Sequence, residues 1–287
     1  MDEQQHIAQC IETISMYRGG YFNDRPWLRD VFESVSRAHF VPERVWWPER
    51  DTDGFYPVID RTTEPERWLE AVYTPRIALI TQIEDGKISP QDGPTRSNAF
   101  TSSISCAAVV VQMLHHLDPQ PGENVLEIGT GTGYNAALLA ARVGADHLTT
   151  VEVDPVTAER ARTALHSRGV PVPTVVVADG ENGYGPRAPY DRLISTACVR
   201  QIPPAWLEQM RPGGTILTPL ATPFGDDALA LLVADRQGHA RGRLVAAVNF
   251  MRVRSQRERR PWRDLGWPRL TDFELTAGPT EQTVRQH

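Results

Sequence analysis

The sequence predicts an α/β fold, a doubly wound and mostly parallel seven-stranded sheet that closes with an antiparallel terminal hairpin. From residue 107 onward, apolar β-rich runs alternate with helical patterns, which is typical of a parallel sheet covered on both faces. A glycine-rich turn at residues 129–133 joins the first of these strands to its helix. The last two runs, 228–234 and 244–253, alternate in polarity and predict the hairpin.

The βαβ unit at residues 124–154 is the centre of this organisation. An apolar strand at 125–128 leads into the glycine turn, a helix follows at 134–142, and a second strand at 148–153 carries Glu152. Glycines at 129, 131 and 133 let the backbone approach a ligand without a Cβ in the way. A carboxylate such as Glu152, roughly 20 residues further on, can accept both hydroxyls of a ribose.

The turn favours S-adenosyl-L-methionine (SAM) over a dinucleotide. A dinucleotide fingerprint reads G-x-G-x-x-G, but this chain has G-x-G-x-G and places Tyr134 where the third glycine would stand. Glu127 comes just before the first glycine, where a carboxylate would repel a pyrophosphate and suit the cationic amino and sulfonium groups of SAM. The alternative is a tight strand-to-helix turn that binds no ligand.

The segments before the sheet are harder to interpret. Isoleucines at 7, 11 and 14 predict an amphipathic first helix, and a second is expected at 27–37. Residues 48–94 are rich in Pro, Asp, Gly and Arg, so we expect an elaboration over one face of the sheet, either a lid or a solvated insertion. The hydroxyl-rich stretch 100–105 precedes a helix at 107–117 and contains residues that could cap it.

The remaining strands place further polar residues beside Glu152. After a helix at 155–168, strands are expected at 174–177, 191–195 and 215–220, with a short helix at 203–210. Asp179 and Thr196 follow two of these strands. Because ligands collect at the carboxyl ends of parallel strands, both side chains are expected at the same edge as Glu152.

Composition limits the classes of function. The 287 residues are 40% hydrophobic and 23% charged, as in ordinary soluble proteins, and the net charge of −6 argues against a general nucleic-acid partner. Three dispersed cysteines without a C-x-x-C pair support neither a disulfide framework nor a zinc site. No signal peptide and no apolar run of roughly 18 residues is found. We therefore expect a cytoplasmic protein without a metal, and favour a monomer.

The chain resembles the protein-L-isoaspartate O-methyltransferases. The resemblance rests on motifs in the family's order, which cover most of residues 38–219: AHFVPE at 38–43, SIS at 103–105, VLEIGTGTGY at 125–134, DGENGY at 179–184, APYD at 188–191 and RPGG at 211–214. It implies a SAM-dependent methyltransferase of class I with a Rossmann-like core, which releases S-adenosyl-L-homocysteine.

The resemblance also implies roles for individual residues. Ser105 matches the family's active-site serine, and Ser103 is the preceding hydroxyl. The three turn glycines would line the methionine part of SAM, Glu152 would hold the ribose, and Asp179 with Gly180 would contact the adenine. We add Glu127, Tyr134 and Thr196 to the predicted cofactor residues because they border the turn or the neighbouring strand end.

Departures from the family pattern suggest that the part of the protein that recognises the methyl-accepting substrate differs from that of the family. Cys106-Ala107-Ala108 replaces the family's Ala-Pro-His, and residues 48–94 and the tail after 253 are additions. We therefore expect three regions: helices and an insertion at 1–100, a methyltransferase core at 101–253 and an extension at 254–287. The extension contains a basic run around Trp262. This run could be a solvated surface, a nucleic-acid contact or a surface that attracts an acidic peptide electrostatically.

These features favour an enzyme that esterifies an aspartate of a ribosomally made peptide and so leads to an aspartimide. The first alternative is a repair enzyme acting on isoaspartate in proteins. A small-molecule O-methyltransferase is a second alternative, although a hydroxyl acceptor would need a base and none is evident. A nucleic-acid N-methyltransferase is disfavoured because Ser195-Thr196-Ala197-Cys198 replaces its expected Asn/Asp-Pro-Pro-Tyr loop. A SAM-fold protein without catalytic activity is the least favoured possibility.

Overall fold

The computed structural model describes residues 2–167, 171–222, 227–257, 273–277 and 282–286. Two compact units are present, Met1–Ser255 and Gln256–His287. Every predicted site residue belongs to the first unit. Residues 258–263 of the basic run lie outside the described residues.

Helix α4 has its predicted bounds, α5 is one residue longer, and α2, α6 and α7 end two or three residues early, whereas α3 was not predicted. Glycine or proline stands at several of their termini, as expected for residues that begin or end a helix. The bounds are α1 Glu3–Ser15, α2 Pro26–Ser34, α3 Pro65–Tyr73, α4 Ala107–Leu117, α5 Tyr134–Val143, α6 Pro155–His166 and α7 Pro204–Glu208. Short 3₁₀ turns lie at Ala38–Phe40, Glu84–Gly86, Pro90–Asp92, Ala145–His147, Gly180–Asn182, Gly185–Arg187 and Arg254–Gln256.

The strands fall into three sheets. Their bounds are β1 Arg44–Trp46, β2 Val58–Asp60, β3 Leu79–Ile83, β4 Phe100–Ile104, β5 Val125–Ile128, β6 Leu148–Glu152, β7 Thr174–Val177, β8 Tyr190–Ser195, β9 Met210–Ala221, β10 Asp227–Ala234, β11 Ala240–Val248, β12 Phe273–Ala277 and β13 Gln282–Gln286. The second unit contains β12 and β13, which pair in antiparallel fashion.

The main sheet confirms the predicted fold class. Its seven strands have the order β11-β10-β9-β8-β5-β6-β7. The pairs β8–β9, β8–β5, β5–β6 and β6–β7 are parallel, whereas β10 is antiparallel to both β9 and β11. The carboxyl ends of β5, β6 and β8 therefore lie side by side at one edge, where the glycine turn begins.

A second sheet was not predicted. Strands β1 to β4 form an antiparallel sheet of order β2-β1-β3-β4 around a small core that includes Trp46 and Ile83. Residues 48–94 are not a purely solvated insertion, because α3 buries Trp68 and Val72 in the main hydrophobic cluster. Two of these strands are only three residues long, too short for a visible alternation of polarity.

The hydroxyl-rich stretch 100–105 is also different from the expected helix-capping segment. Most of it forms β4, and α4 begins after Cys106, whose side chain makes no capping hydrogen bond. Ser105 therefore lies between a strand and a helix without capping either. Among the described residues, no helix has the length and apolarity needed to cross a membrane.

Candidate active site

The glycine turn has a backbone that other residues adopt only with strain. Gly129, Gly131 and Gly133 have φ values of 92°, 54° and 88°. The Gly129 amide donates to the Val151 carbonyl at 2.8 Å, which fastens the turn to β6. A Cβ on Gly129 would lie 2.5 Å from Thr196 Oγ1, so the close approach of β8 also requires glycine there.

Glu152 stands at the end of β6 and reaches the turn. Its Oε2 accepts the Gly131 amide at 2.9 Å, and its Oε1 accepts the Asp154 amide at 3.1 Å. Burial raises the pKa of Glu152, although these amide hydrogen bonds act in the opposite direction. The carboxylate is thus held against the turn, where the predicted ribose contact requires it.

Glu127 lies behind the turn and is fully buried. Asn135 Nδ2 donates to its Oε1 at 2.7 Å, and Thr150 Oγ1 donates to its Oε2 at 2.6 Å. Thr130 Oγ1 lies 2.6 Å from Thr150 Oγ1 and extends the network into the turn. Burial raises the pKa of Glu127 to about 7. The carboxyl supports the turn and the start of α5 from within, and its predicted contact with the cofactor stays a prediction.

Tyr134 directs its side chain into the core. Its ring is 2% exposed and packs against Phe40, with ring centroids 5.9 Å apart. The Arg37 guanidinium lies 5.2 Å from the Tyr134 ring centroid, in cation–π range. Only the backbone of Tyr134, which opens α5, remains at the turn. Its role in cofactor binding also stays a prediction.

Asp179 and Gly180 follow β7 and Thr196 follows β8, so these residues lie at the same edge of the sheet as Glu152, as predicted. The Asp179 side chain accepts the Glu181 amide at 3.0 Å and so fixes the turn after β7. A Cβ on Gly180 would lie 2.4 Å from Ile128 Cγ2, which brings this turn directly onto the end of β5. Thr196 Oγ1 donates to the Gly129 carbonyl at 2.7 Å and faces the glycine turn.

Of the two serines predicted to serve catalysis, Ser103 lies beside the same turn, and Ser105 follows the end of β4. Ser103 and Ser105 are half-buried, and within the described part of the chain their hydroxyls make no hydrogen bond. The Ser103 carbonyl oxygen would lie 3.8 Å from a Cβ built on Gly131. The Ser102 hydroxyl, by contrast, has a hydrogen-bond partner within the second sheet, because its Oγ accepts a hydrogen bond from Thr81 Oγ1 at 3.0 Å. The end of β4 therefore faces the middle of the glycine turn.

Two groups of site residues escaped the sequence analysis. Thr150 and Asn135 complete the buried network around Glu127, and nothing in their sequence neighbourhood indicates such a role. Asp154 caps α6 by accepting the Thr157 amide at 2.8 Å and also faces Arg254. An Asp directly before Pro155 is a visible helix-start pattern, so this cap could have been predicted.

The residues present fit SAM. Over Gly131 the space is open, because an added Cβ would meet only the Ser103 carbonyl within 4 Å. The carboxylate of Glu152 borders the turn and that of Asp179 lies at the same edge of the sheet, and such negative charge suits a cationic sulfonium compound better than a pyrophosphate. Across the residues that the structure describes, no group of three or more His, Cys, Asp and Glu side chains could hold a metal ion.

Comparison with known proteins identifies a family that the chain matches. The model of the family "Protein-L-isoaspartate(D-aspartate) O-methyltransferase" matches residues 78–258. A protein-L-isoaspartate O-methyltransferase of Methanopyrus kandleri is 43% identical over 182 residues, which are 59% of this chain and 80% of the relative. One of Ignicoccus hospitalis is 39% identical over 138 residues, 48% of this chain and 65% of the relative.

Solved structures show the same fold. A structure named protein-L-isoaspartate O-methyltransferase has a TM-score of 0.64 at 20% identity and covers 86% of this chain and 65% of its own. A Plasmodium falciparum protein of that name, in complex with S-adenosyl-L-homocysteine, has a TM-score of 0.62 at 11% identity and covers 88% and 99%. The chain spans 65% and 59% of the length of two curated relatives, those from Ignicoccus hospitalis and Staphylothermus marinus.

Proposed function

Because the chain belongs to the protein-L-isoaspartate(D-aspartate) O-methyltransferase family, we propose that it esterifies the side-chain carboxylate of isoaspartyl residues in peptides or proteins. The methyl donor would be SAM and the second product S-adenosyl-L-homocysteine. One observation carries the proposal: strand β4, which contains Ser103 and is followed directly by Ser105, ends against the glycine turn, with the Ser103 carbonyl beside Gly131. Donor and acceptor elements therefore meet at one place.

The residues of this site suit a carboxylate acceptor. A carboxylate is already ionised near pH 7, so methyl transfer to it requires no general base. SAM supplies a methyl group on a sulfonium, and the charges of donor and acceptor cancel as the transfer proceeds. The hydroxyls of Ser103 and Ser105 can donate to the acceptor carboxylate and fix its position. Unlike an arginine, they leave its negative charge unneutralised.

The fixed dipoles of the turn have a second effect. Water stabilises separated opposite charges and therefore opposes a reaction in which they cancel. Amide groups and hydroxyls held by the sheet replace that water without having to reorganise. Glu152 accepts hydrogen bonds from the Gly131 and Asp154 amides, and in this proposal the carboxylate so held accepts the ribose hydroxyls. Asp179 and Gly180 border the place that the family resemblance implies for the adenine.

The methyl ester has a defined chemical fate. The backbone nitrogen of the following residue attacks the ester carbonyl, methanol leaves with the nitrogen's proton, and a succinimide ring closes. Water then opens the ring at either carbonyl and gives a mixture of aspartate and isoaspartate. Repeated methylation removes the isoaspartate again, so the cycle gradually restores the normal backbone.

A second candidate is the esterification of an ordinary aspartate in a ribosomally made peptide, which ends at the aspartimide. It is favoured by a specific observation: strands β1 and β2 of the second sheet precede residue 78, where the family match begins. In this candidate, residues 1–100 would select the peptide, residues 101–253 would bind SAM, and residues 254–287 would add peptide contacts. The isoaspartyl function is preferred because the named relatives all have it.

The two functions are separated by a pair of peptides with the same sequence, one with isoaspartate and one with aspartate. Incubation with SAM and mass spectrometry should show a methyl ester, followed by loss of methanol, on the isoaspartyl peptide alone. Several unrelated sequences should react at similar rates. Esterification of neither peptide, with SAM consumed only in the presence of a co-produced peptide, would replace the proposal by the tailoring function.

A further inference from the structure

We propose that Arg254 is a cofactor-positioning residue that closes the adenosine end of the site. It would do so by holding the β3–β4 hairpin and the chain after β11 against the start of α6. The inference rests on the proposed SAM site, and it concerns a residue that neither the motifs nor the family resemblance assigns.

Arg254 contacts two carboxylates from different parts of the chain. Its Nη2 lies 3.0 Å from Asp85 Oδ1 in the β3–β4 connection and 3.7 Å from Asp154 Oδ2 at the start of α6. The amide of Asp154 is the group that holds Glu152 Oε1 at 3.1 Å. Arg254 therefore contacts the residue whose backbone amide holds Glu152, the carboxylate predicted to bind the ribose.

The chain around Arg254 contacts the segments that follow two strands of the main sheet, β8 and β7. The Val253 amide donates to the Cys198 carbonyl at 2.9 Å, just beyond β8. Ser255 Oγ lies 3.4 Å from Asp179 Oδ1, just beyond β7. Residues 253–255 thus pass from the end of β8 to the side chain predicted to meet the adenine. We call residues 253–255 the crossing segment.

A second contact connects the β3–β4 hairpin, whose strand β4 contains Ser103, to the start of α6. Gln82 Nε2 lies 3.5 Å from Thr157 Oγ1 in the first turn of α6, and Gln82 Oε1 accepts Thr101 Oγ1 at 2.9 Å. Thr101 is two residues from Ser103, whose carbonyl faces the glycine turn. The ion pairs of Arg254 and the contact of Gln82 therefore connect the acceptor strand to the cofactor end of β6.

The backbone of the hairpin loop is strained where Arg254 binds it. Glu84 and Asp85 have φ values of 51° and 53°, a left-handed conformation that is unfavourable for residues other than glycine. Ser97 Oγ donates to Glu84 Oε1 at 2.7 Å, and the Asp85 amide donates to Thr101 Oγ1 at 3.1 Å. Such strain persists where surrounding contacts fix the chain, and it is concentrated at ligand clamps.

Charge explains why an arginine is required. Asp85, Asp154 and Glu152 bring three carboxylates to one end of the site, and Arg254 is the cation that contacts two of them. Without it, like charges would push the hairpin away from α6. The Arg254 side chain is about one-third exposed, so salt will screen the attraction, and the effect on affinity should be moderate.

The test is calorimetric titration of the full chain with S-adenosyl-L-homocysteine, which needs no acceptor. Arg254→Gln should weaken binding about three- to fivefold, the range expected of a partly exposed ion pair, and Arg254→Lys by less. Raising NaCl from about 0.05 M to about 0.5 M should weaken wild-type binding and leave Arg254→Gln nearly unchanged. Arg29→Gln, which removes an exposed ion pair with Glu33 in α2, is the matched control and should bind as wild type does.

A purely structural role would give a different result. The thermal midpoint of ligand-free Arg254→Gln should stay close to wild type, while the rise in that midpoint caused by S-adenosyl-L-homocysteine should shrink. Wild-type affinity in Arg254→Gln, or an equal loss in Arg29→Gln, would overturn the inference. Wild-type protein that binds the ligand but leaves isoaspartyl peptides unchanged refutes the proposed function alone; protein that does not bind it refutes both.

Discussion

Glu127→Gln tests the buried network behind the glycine turn through pH. Burial raises the pKa of Glu127 from its ordinary value of 4.5 to about 7. Between these pH values the unfolded chain has lost the proton that the folded protein keeps. The stability that the neutral carboxyl confers is therefore complete below about pH 4.5 and is lost as the pH rises through about 7.

The size of the effect follows from the two pKa values. Their difference, at about 1.4 kcal/mol per pH unit, amounts to roughly 3 kcal/mol. Glutamine is neutral at every pH, so the variant escapes this loss. It carries instead a constant cost of about 1–3 kcal/mol, because its amide NH₂ must face one of the two donors, Asn135 or Thr150. Relative to wild type, the variant should thus gain roughly 3 kcal/mol between pH 4.5 and pH 8.

Urea denaturation of both proteins across this pH range measures the difference directly. Glu159→Gln is the control, because it makes the same substitution at a side chain that is 70% exposed and lies outside the buried network. A difference between Glu127→Gln and wild type that stays constant from pH 4.5 to pH 8 would refute the reasoning. It would mean that the carboxyl is not forced toward its neutral form by burial.

Two glycine substitutions test the close contacts around the cofactor site. Gly180→Ala places a Cβ 2.4 Å from Ile128 Cγ2 and should lower the free energy of unfolding by about 1–3 kcal/mol. Gly185→Ala, whose Cβ would meet only Gln209 Nε2 at 4.0 Å, should not lower it, and equal denaturation midpoints of the two variants would contradict this. Gly129→Ala and Gly213→Ala carry similar backbone strain, with φ values of 92° and 86°. Only the first meets a side chain, so only Gly129→Ala should lose affinity for S-adenosyl-L-homocysteine in calorimetry; equal losses would count against the proposed site.

The sequence predicted the main sheet well, because buried parallel strands leave a clear apolar pattern. Strands β5 and β7 have the predicted bounds, and β6 and β8 differ by one residue. The glycine spacing and Glu152 located the cofactor end of the sheet for the same reason. A strand, a tight turn and a carboxylate are all local features of the chain.

The acceptor side was less predictable, because its structure depends on contacts between distant residues. Strand β4 has the sequence Phe-Thr-Ser-Ser-Ile and lies at the edge of the second sheet, where polar residues are accommodated. No local sequence pattern predicts this sheet. The inward direction of Glu127 depends on Asn135 and Thr150. The pairing of Arg254 with Asp85 joins residues 169 positions apart.

The central claim is that β4 presents an acceptor carboxylate to a donor held at the glycine turn. Single-turnover methyl transfer to an isoaspartyl peptide, measured beside calorimetric titration with S-adenosyl-L-homocysteine, tests it most directly in the Ser103→Ala/Ser105→Ala double variant. We expect transfer to fall by about 100-fold or more, as when oriented hydrogen-bond donors are removed, while affinity for S-adenosyl-L-homocysteine stays within about twofold. Transfer at the wild-type rate would contradict the claim, and so would parallel loss of transfer and cofactor affinity.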